Sequence, residues 1–489
     1  MYLGIDLGTS EVKLLLLDSA GLTVGTAGAA LTLSRPHPLW SEQSPDDWWQ
    51  ATEEAVALLR AAHPAQFAQV RAIGLSGQMH GAVLLGDADE VLRPAILWND
   101  GRSHAECVEL TERAPTLHAV AGNLAMPGFT APKLLWVRKH EPEVFAQVKC
   151  VLLPKDWLRL KLGGDKVSEP SDAAGTLWLD VAARDWSDEL LAACGLSRAQ
   201  MPRLVESNQP SAWLRDELAK AWGLAPEVVI AGGAGDDAAS AIGIGATEPG
   251  DGFISLGTSG VLFVVNDRYR PNPASAVHAF CHALPQRWHQ MSVMLSAASC
   301  LKWFVQFSGA ADEAALLAEV AALPAEALRD APLFLPYLAG ERTPHNDPFA
   351  QGAFFGLTHD HTRALGAYAV LEGVTFGLAD GLAALQASGT AVRRLSLVGG
   401  GARSGLWAQL IADTLDVEIL VHAGGDAGGA LGAARLGWLA AGGELAQVCP
   451  PPEVTARYLP DGTRHLPLQR RLRRFRDLYQ RLKPLTTPT

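Results

Sequence analysis

Short apolar runs of strand length open the chain. Tyr2–Leu7, Val12–Leu17 and Leu22–Ala30 read as strands, parted by turns at Gly8-Thr9-Ser10 and Ser19-Ala20-Gly21. Such neighbours predict an antiparallel meander. Pro45-Asp46-Asp47 then opens a helix over Trp48–Ala61. Val70–Ser76 reads as the next strand and runs into a loop, Gln78-Met79-His80-Gly81. Val83–Leu85 and Ala95–Trp98 are short strands around a turn at Gly86, Asp87 and Asp89. Helices follow near Ser103–Ala114, Ala131–Lys139 and Lys155–Leu162. Val228–Gly232 is a strand, with a glycine-rich loop and a helix of small residues from Ala238 behind it.

The pattern then restarts. Gly252–Leu256, Val261–Val265 and Trp288–Met291 read as strands, and Leu365–Ala387 as a long helix. Leu395–Val398 is a strand ending in Gly399-Gly400-Gly401, with helices over Leu406–Thr414 and Ala430–Ala441. The breaker at Thr247–Asp251 places a boundary near Ala246–Gly250. Two α/β domains are expected, 1–245 and 246–489.

The restart repeats more than a pattern. Ile5-Asp6-Leu7-Gly8-Thr9-Ser10 returns as Ile254-Ser255-Leu256-Gly257-Thr258-Ser259. Each copy is a strand running into a Gly-Thr-Ser turn, which offers amides and hydroxyls to an anion. Two copies suggest two similar domains facing one phosphate-bearing ligand. The first copy has Asp6 where the second has Ser255, and a carboxylate beside a phosphate calls for a cation between them. Asp6 is therefore read as the metal side.

Length and composition narrow the field. A chain of 489 residues exceeds one core, and 48% hydrophobic content is that of a folded protein. A net charge of -12 argues against nucleic acid or an anionic membrane as partner. The six cysteines are scattered without a C-x-x-C pair, as expected of reduced thiols in the cytoplasm. No signal peptide or spanning run is evident. The arginine-rich end, with Arg470, Arg471, Arg473, Arg474 and Arg476, reads as a solvated closing helix.

Three further constellations carry chemistry. Gly232-Gly233-Ala234-Gly235-Asp236-Asp237 lets backbone approach a ligand and sets an acid at a strand-to-helix junction. Neighbouring residues do not share a helix face, so one acid aims at substrate; Asp236 is preferred, with Asp237 open. Two acids there would also stabilise a helix start with no other role. Leu397–Ser404 is strand, triple glycine, then helix, suited to a base or ribose; it is not a dinucleotide fingerprint, and a plain tight turn explains it equally well. Gln78-Met79-His80-Gly81 with Trp98-Asn99-Asp100-Gly101-Arg102 sets polar groups and apolar walls after strands, as a polyol site needs.

With these residues in hand, the chain resembles the FGGY carbohydrate kinases of the actin/hexokinase superfamily over nearly its whole length. Gly128–His140 looks like the first family signature, and Gly352–Glu372 with Gly373 like the second; neither is given a catalytic role. The Gln78–Gly81 loop, Arg35–Gln43, Leu153–Asp156 and Leu335–Pro344 resemble the branch that phosphorylates D-xylulose. The resemblance implies two ribonuclease-H-like domains across a closable cleft. It also implies ATP, Mg²⁺ and transfer to the C5 hydroxyl of the ketose.

Carried over by position, Asp236 would be the catalytic base and Asp6 the metal-linked acid. Met79 and His80 would contact the sugar, with Gln78, Trp98, Asn99, Asp100 and Asp237 around it. Gly8, Thr9, Ser10 and Lys13 would hold nucleotide phosphates with Gly257, Thr258 and Ser259. Gly400, Gly401 and Ser404 would line the adenosine pocket. Asp237 departs from the usual asparagine after the base, and Glu11 from a common glycine; Glu11 is expected to face solvent. Other sugars, such as ribulose, stay open as substrates. A DNA-binding sugar sensor lacks its helix-turn-helix, and a chaperone-like ATPase lacks its peptide domain. The expected partners are sugar and ATP, with a homodimer open as the assembly.

Overall fold

The computed structural model describes residues 1–423 and 428–486. Strands β1 (Tyr2–Leu7), β2 (Glu11–Leu17) and β3 (Thr23–Ala30) form the predicted meander, with Asp6 opposite Lys13. Helix α1 (Pro45–Ala62) leads to β4 (Ala72–Gly77), which pairs parallel to β1. Helices α2 (Thr130–His140), α3 (Pro154–Gly163) and the single turn α4 (Pro170–Ala173) come next. They precede β5 (Pro210–Trp213), β6 (Val229–Ala231), β7 (Ala234–Gly235) and helix α5 (Asp236–Gly243). The sheet order is β5-β6-β4-β1-β2-β3, with β7 paired to the end of β4.

The second half rebuilds the same plan. Strands β8 (Asp251–Leu256), β9 (Gly260–Asn266), β10 (His278–Cys281) and β11 (Trp288–Met294) are followed by helices α6 (Ala298–Ser308) and α7 (Arg363–Gln386). After these come β12 (Arg394–Val398), α8 (Gly405–Leu415), β13 (Glu418–His422), α9 (Gly428–Ala440), β14 (Val454–Tyr458) and α10 (Gly462–Thr486). The second sheet runs β10-β11-β9-β8-β12-β13-β14, with β8, β12 and β13 parallel.

Strand alternation decides which residues face the middle of the molecule. On β1, Leu3, Ile5 and Leu7 enter a core with Trp48, Val56 and Leu59 of α1 and Trp157 of α3. Tyr2, Gly4 and Asp6 therefore take the other face. On β8, Ile254 and Leu256 join the core that contains α7 and α8, which leaves Phe253 and Ser255 for the inner face.

Helix α9 covers the inner face of the first sheet although it lies late in the chain. A Cβ on Gly4 would sit 1.9 Å from the Ala430 carbonyl, and one on Gly74 1.7 Å from that of Ala433. Helix α9 also crosses α5, where a Cβ on Gly432 would lie 1.7 Å from the Ala239 carbonyl. Glycine is required for this backbone contact. Arg435 on α9 closes the crossing by donating to the carbonyls of Ile242 (2.9 Å) and Gly243 (3.0 Å) at the end of α5.

Two expectations are refined. Helix α7 is long and apolar enough to cross a membrane, yet 94% of its most apolar 18-residue stretch is buried inside the protein. The arginine-rich end is helical, but it is more than a solvated face. Arg471 grips Glu372 with two 2.6 Å bonds and Arg476 holds Asp380 at 2.6 Å, which docks α10 on α7.

Candidate active site

Parallel strands bring the singled-out residues to common edges. Strands β1, β4 and β7 run the same way, so their carboxyl ends deliver three things together: the Gly8-Thr9-Ser10 turn, the Met79-His80 loop and Asp236. In the second sheet β8 and β12 deliver the Gly257-Thr258-Ser259 turn and the Gly399–Gly401 loop. Open α/β sheets place ligands at such edges.

The two turns are built alike. The Gly8 amide donates to the Glu11 carbonyl at 3.0 Å, and the Gly257 amide to that of Ser259 at 3.1 Å. Those two amides are consumed within the turns, so only the amides and hydroxyls farther along could meet a ligand. Ser10, Thr258 and Ser259 are exposed. Glu11 is exposed as expected. In the triple-glycine loop after β12, Gly399 has φ of +86° and a Cβ on Gly401 would strike the Leu256 side chain at 2.4 Å, whereas Gly400 faces open space. Ser404 caps α8, its hydroxyl accepting from the Trp407 amide at 3.2 Å.

His80 sits at φ of +69°, a left-handed conformation unusual for a side chain of this size. Its Nδ1 lies 2.7 Å from the Gly175 carbonyl. A carbonyl only accepts, so Nδ1 carries the proton and Nε2 is left as an acceptor. Burial pushes the imidazole down to about 3, so it stays neutral. Met79 is wedged between Gly175 and Gly235, where a Cβ on either glycine would come within 3.0 Å of its side chain.

Lys133 is the residue that sequence reasoning passed over. It is fully buried, and its Nζ donates to the carbonyls of His80 (2.8 Å) and Gly128 (2.7 Å). Thr130 adds its hydroxyl to the His80 carbonyl at 3.1 Å. Together they hold the His80 backbone in its strained state. Burial pushes the Lys133 ammonium well below its ordinary value. Lys133 belongs to the first signature, but nothing in its helical spacing distinguishes it from a packing residue.

Gln78 and Asp100 have other work than the expected sugar contact. Gln78 is 2% exposed; its Oε1 accepts from the Thr9 hydroxyl (3.1 Å) and its Nε2 donates to Gln43 (3.1 Å), so it braces the first turn. Both Asp100 oxygens are taken by the Ser41 amide (2.6 Å) and by Arg102 through its amide, Nε and Nη2. No lone pair is left for a hydroxyl. Trp98 donates to the Thr9 hydroxyl at 2.9 Å while its ring is half-exposed, and Asn99 is exposed beside it.

The acids converge. Asp236 accepts the Asp237 amide at 2.9 Å. Its carboxyl is held well above the ordinary range, first by burial, then by the charges of Asp237 and Asp6. Burial raises Asp6 as well, against the lowering influence of the neighbouring Ser76 hydroxyl and the charge of Lys13. The start of α9 abuts this pair: a Cβ on Gly429 would lie 2.6 Å from Ser76 Oγ and 2.8 Å from Asp6 Oδ1. Asp237 turns elsewhere. It lines a cavity of about 200 Å³ with Ser240 of α5, Ile244 just past its end, Phe253 and Ser255 of β8, and Gly399. Burial pushes Asp237 up to about 6. The repeat's two unequal positions, Asp6 and Ser255, thus both face the space between the sheets.

Known proteins share this fold. Residues 1–243 match the N-terminal domain, and residues 252–441 the C-terminal domain, of the FGGY family of carbohydrate kinases. The xylulose kinase of Escherichia coli K12 is 54% identical over 487 residues, 99% of this chain and 100% of its own. The crystal structure of the Brucella ovis xylulose kinase superposes with a TM-score of 0.95 at 51% identity, covering 99% of each chain. A gluconate kinase from Lactobacillus acidophilus superposes at 0.91 with 26% identity, covering 98% of this chain and 97% of its own. With both family domains matched along two rebuilt sheets, the chain belongs to the FGGY family of carbohydrate kinases and is a sugar kinase.

Proposed function

We propose that the protein transfers the γ-phosphoryl group of ATP to the C5 hydroxyl of D-xylulose, giving D-xylulose 5-phosphate in xylose catabolism. One observation carries the reading: the neutral His80 acceptor, the Met79 wall and the raised Asp236 carboxyl share one strand edge with the first Gly-Thr-Ser turn. The Escherichia coli and Brucella ovis xylulose kinases are 54% and 51% identical to this chain over nearly its full length.

In this mechanism His80 Nε2 accepts a sugar hydroxyl and Met79 packs on the carbon chain. Asp236, ionised, accepts the proton of the attacking hydroxyl. A carboxyl raised toward neutral pH is a stronger base than an ordinary one, and base catalysis of this kind contributes about 10²–10⁴-fold. The amides and hydroxyls of both turns cradle phosphate oxygens, and closure of the cleft excludes water.

Mg²⁺ fits the donor set. Asp6 is a hard oxygen ligand recessed at the phosphate edge, and among the described residues no cluster of three or more ligating side chains surrounds it. Mg²⁺ suits such a site because it keeps waters and phosphate oxygens around one or two carboxylates. When bound, it neutralises charge on the phosphates. A cytoplasmic setting accords with this reading, since all six cysteines are free and buried.

The test is ADP release from ATP with a panel of sugars. D-xylulose should stimulate turnover well above ribulose, fructose and glycerol. Preference for ribulose would replace the sugar in this reading, and sugar-independent turnover would reject it.

A further inference from the structure

Behind the sugar edge lies a charged cluster with no exposure to solvent. Lys155, Asp156, Arg159, Glu169 and Asp172 are all 0% exposed. Lys155 Nζ reaches Asp156 Oδ1 (2.8 Å), Asp172 Oδ2 (2.9 Å) and Glu169 Oε1 (3.2 Å). Two cations face three carboxylates. Buried charges on this scale cost folding free energy even when paired. A core that needed stability alone would be served by apolar residues, so the cluster calls for a second purpose.

That purpose is legible in what the cluster holds. Glu169 caps the single turn α4: its carboxylate accepts the amides of Ser171 (2.6 Å) and Asp172 (3.0 Å), and the Ser207 hydroxyl (2.7 Å). The chain running through α4 then touches the sugar edge twice. Ser171 Oγ accepts the amide of Gly235 at 3.2 Å, one residue before Asp236. Gly175 gives its carbonyl to His80 Nδ1 at 2.7 Å. Lys155 also backs the strand that feeds the Met79-His80 loop, since a Cβ on Gly77 would lie 3.2 Å from its own Cβ. One short segment thus fixes the start of the helix that bears the base and fixes the tautomer of the sugar acceptor.

We infer that α4 with its Lys155–Glu169 anchor is a bracket that sets the spacing between Asp236 and His80, with Ser171 as a positioning residue. The bracket acts on the sugar side only. It makes no bond to either Gly-Thr-Ser turn among the described residues, so ATP binding is independent of it. The inference rests on the ketose-kinase reading above and deepens it.

The experiment is steady-state kinetics on the full chain, with sugar and ATP varied separately, for wild type, Ser171→Ala and Ser171→Cys. Loss of one buried hydrogen bond should lower kcat/KM for D-xylulose about tenfold in Ser171→Ala, with KM for ATP changed less than about twofold. Ser171→Cys keeps a weak acceptor and should fall between. Equal losses toward both substrates, or no loss, would overturn the bracket. If wild type itself prefers another sugar, the functional reading fails, and the same comparison on that sugar still decides the bracket. Glu169→Gln, which weakens the cap at constant shape, should reproduce the sugar-specific loss; if it does not fold, Ser171→Ala decides alone.

Discussion

Gly175→Ala tests the sugar edge with one methyl group. The added Cβ would sit 2.6 Å from His80 Nδ1, 2.8 Å from its Cε1 and 3.0 Å from Met79 Cε. Comfortable non-bonded contact begins near about 3.5 Å, so the imidazole must retreat by about 1 Å. The retreat also stretches the 2.7 Å bond that fixes its tautomer. Misplacement of about 1 Å costs about 10²-fold in catalysis, or about 2.7 kcal/mol of transition-state stabilisation. Overpacking should lower folding stability by about 1–3 kcal/mol. A coupled assay of ADP release, with sugar and ATP varied in turn, reads the effect. kcat/KM for the sugar should fall about 10²-fold while KM for ATP stays put. A variant within about threefold of wild type would mean that the ring position does not govern sugar binding; that threshold lies far below the expected loss of about 10²-fold.

Asp236→Asn should abolish sugar phosphorylation while Asp237→Asn does so far less; equal loss in the same assay would remove the base assignment. The base must be ionised and its carboxyl is held high, so kcat should fall as pH drops through a value above the ordinary carboxylate range. Because the Asp237 charge contributes to that rise, Asp237→Asn should move this acid limb to lower pH in a kcat–pH profile. Burial raises Asp172 to about 7, so the folded protein holds a proton there that the unfolded chain has lost above pH of about 4. That contribution to wild-type stability declines as pH rises from 4 through 7, and thermal unfolding should show Asp172→Asn gaining on wild type over the same window. Lys133→Met should lower stability by about 2–4 kcal/mol, since the Gly128 carbonyl loses its Lys133 donor and the His80 carbonyl keeps only the Thr130 hydroxyl, and should weaken sugar use more than ATP use in the same kinetics.

Much of the site was legible because its logic is local. A strand followed by Gly-Thr-Ser is a turn whatever surrounds it, and the repeat singles out Asp6 against Ser255 without tertiary information. Networks that join distant segments were not legible. Gln78 and Asp100 look like a polyol site's polar groups until the structure shows Gln43, Ser41 and Arg102 claiming them. Lys133 reads as one more packing residue of its helix until it is found beneath His80. Arg471 and Arg476 read as solvated because Glu372 and Asp380 lie in a helix whose apolar composition predicts burial.

The crossing of α9 over the first sheet has a consequence for how the chain is made. On the ribosome, residues 1–245 emerge with Gly4, Gly74 and Tyr2 awaiting Ala430, Ala433 and Trp438, whose ring stacks on Tyr2 at 4.8 Å. The inner face of the first sheet stays bare until nearly the whole polypeptide has been translated. The N-terminal half therefore cannot complete its fold during its own synthesis. Expressed alone, such a half would be prone to aggregate; co-expressed with a fragment carrying α9, it should be rescued.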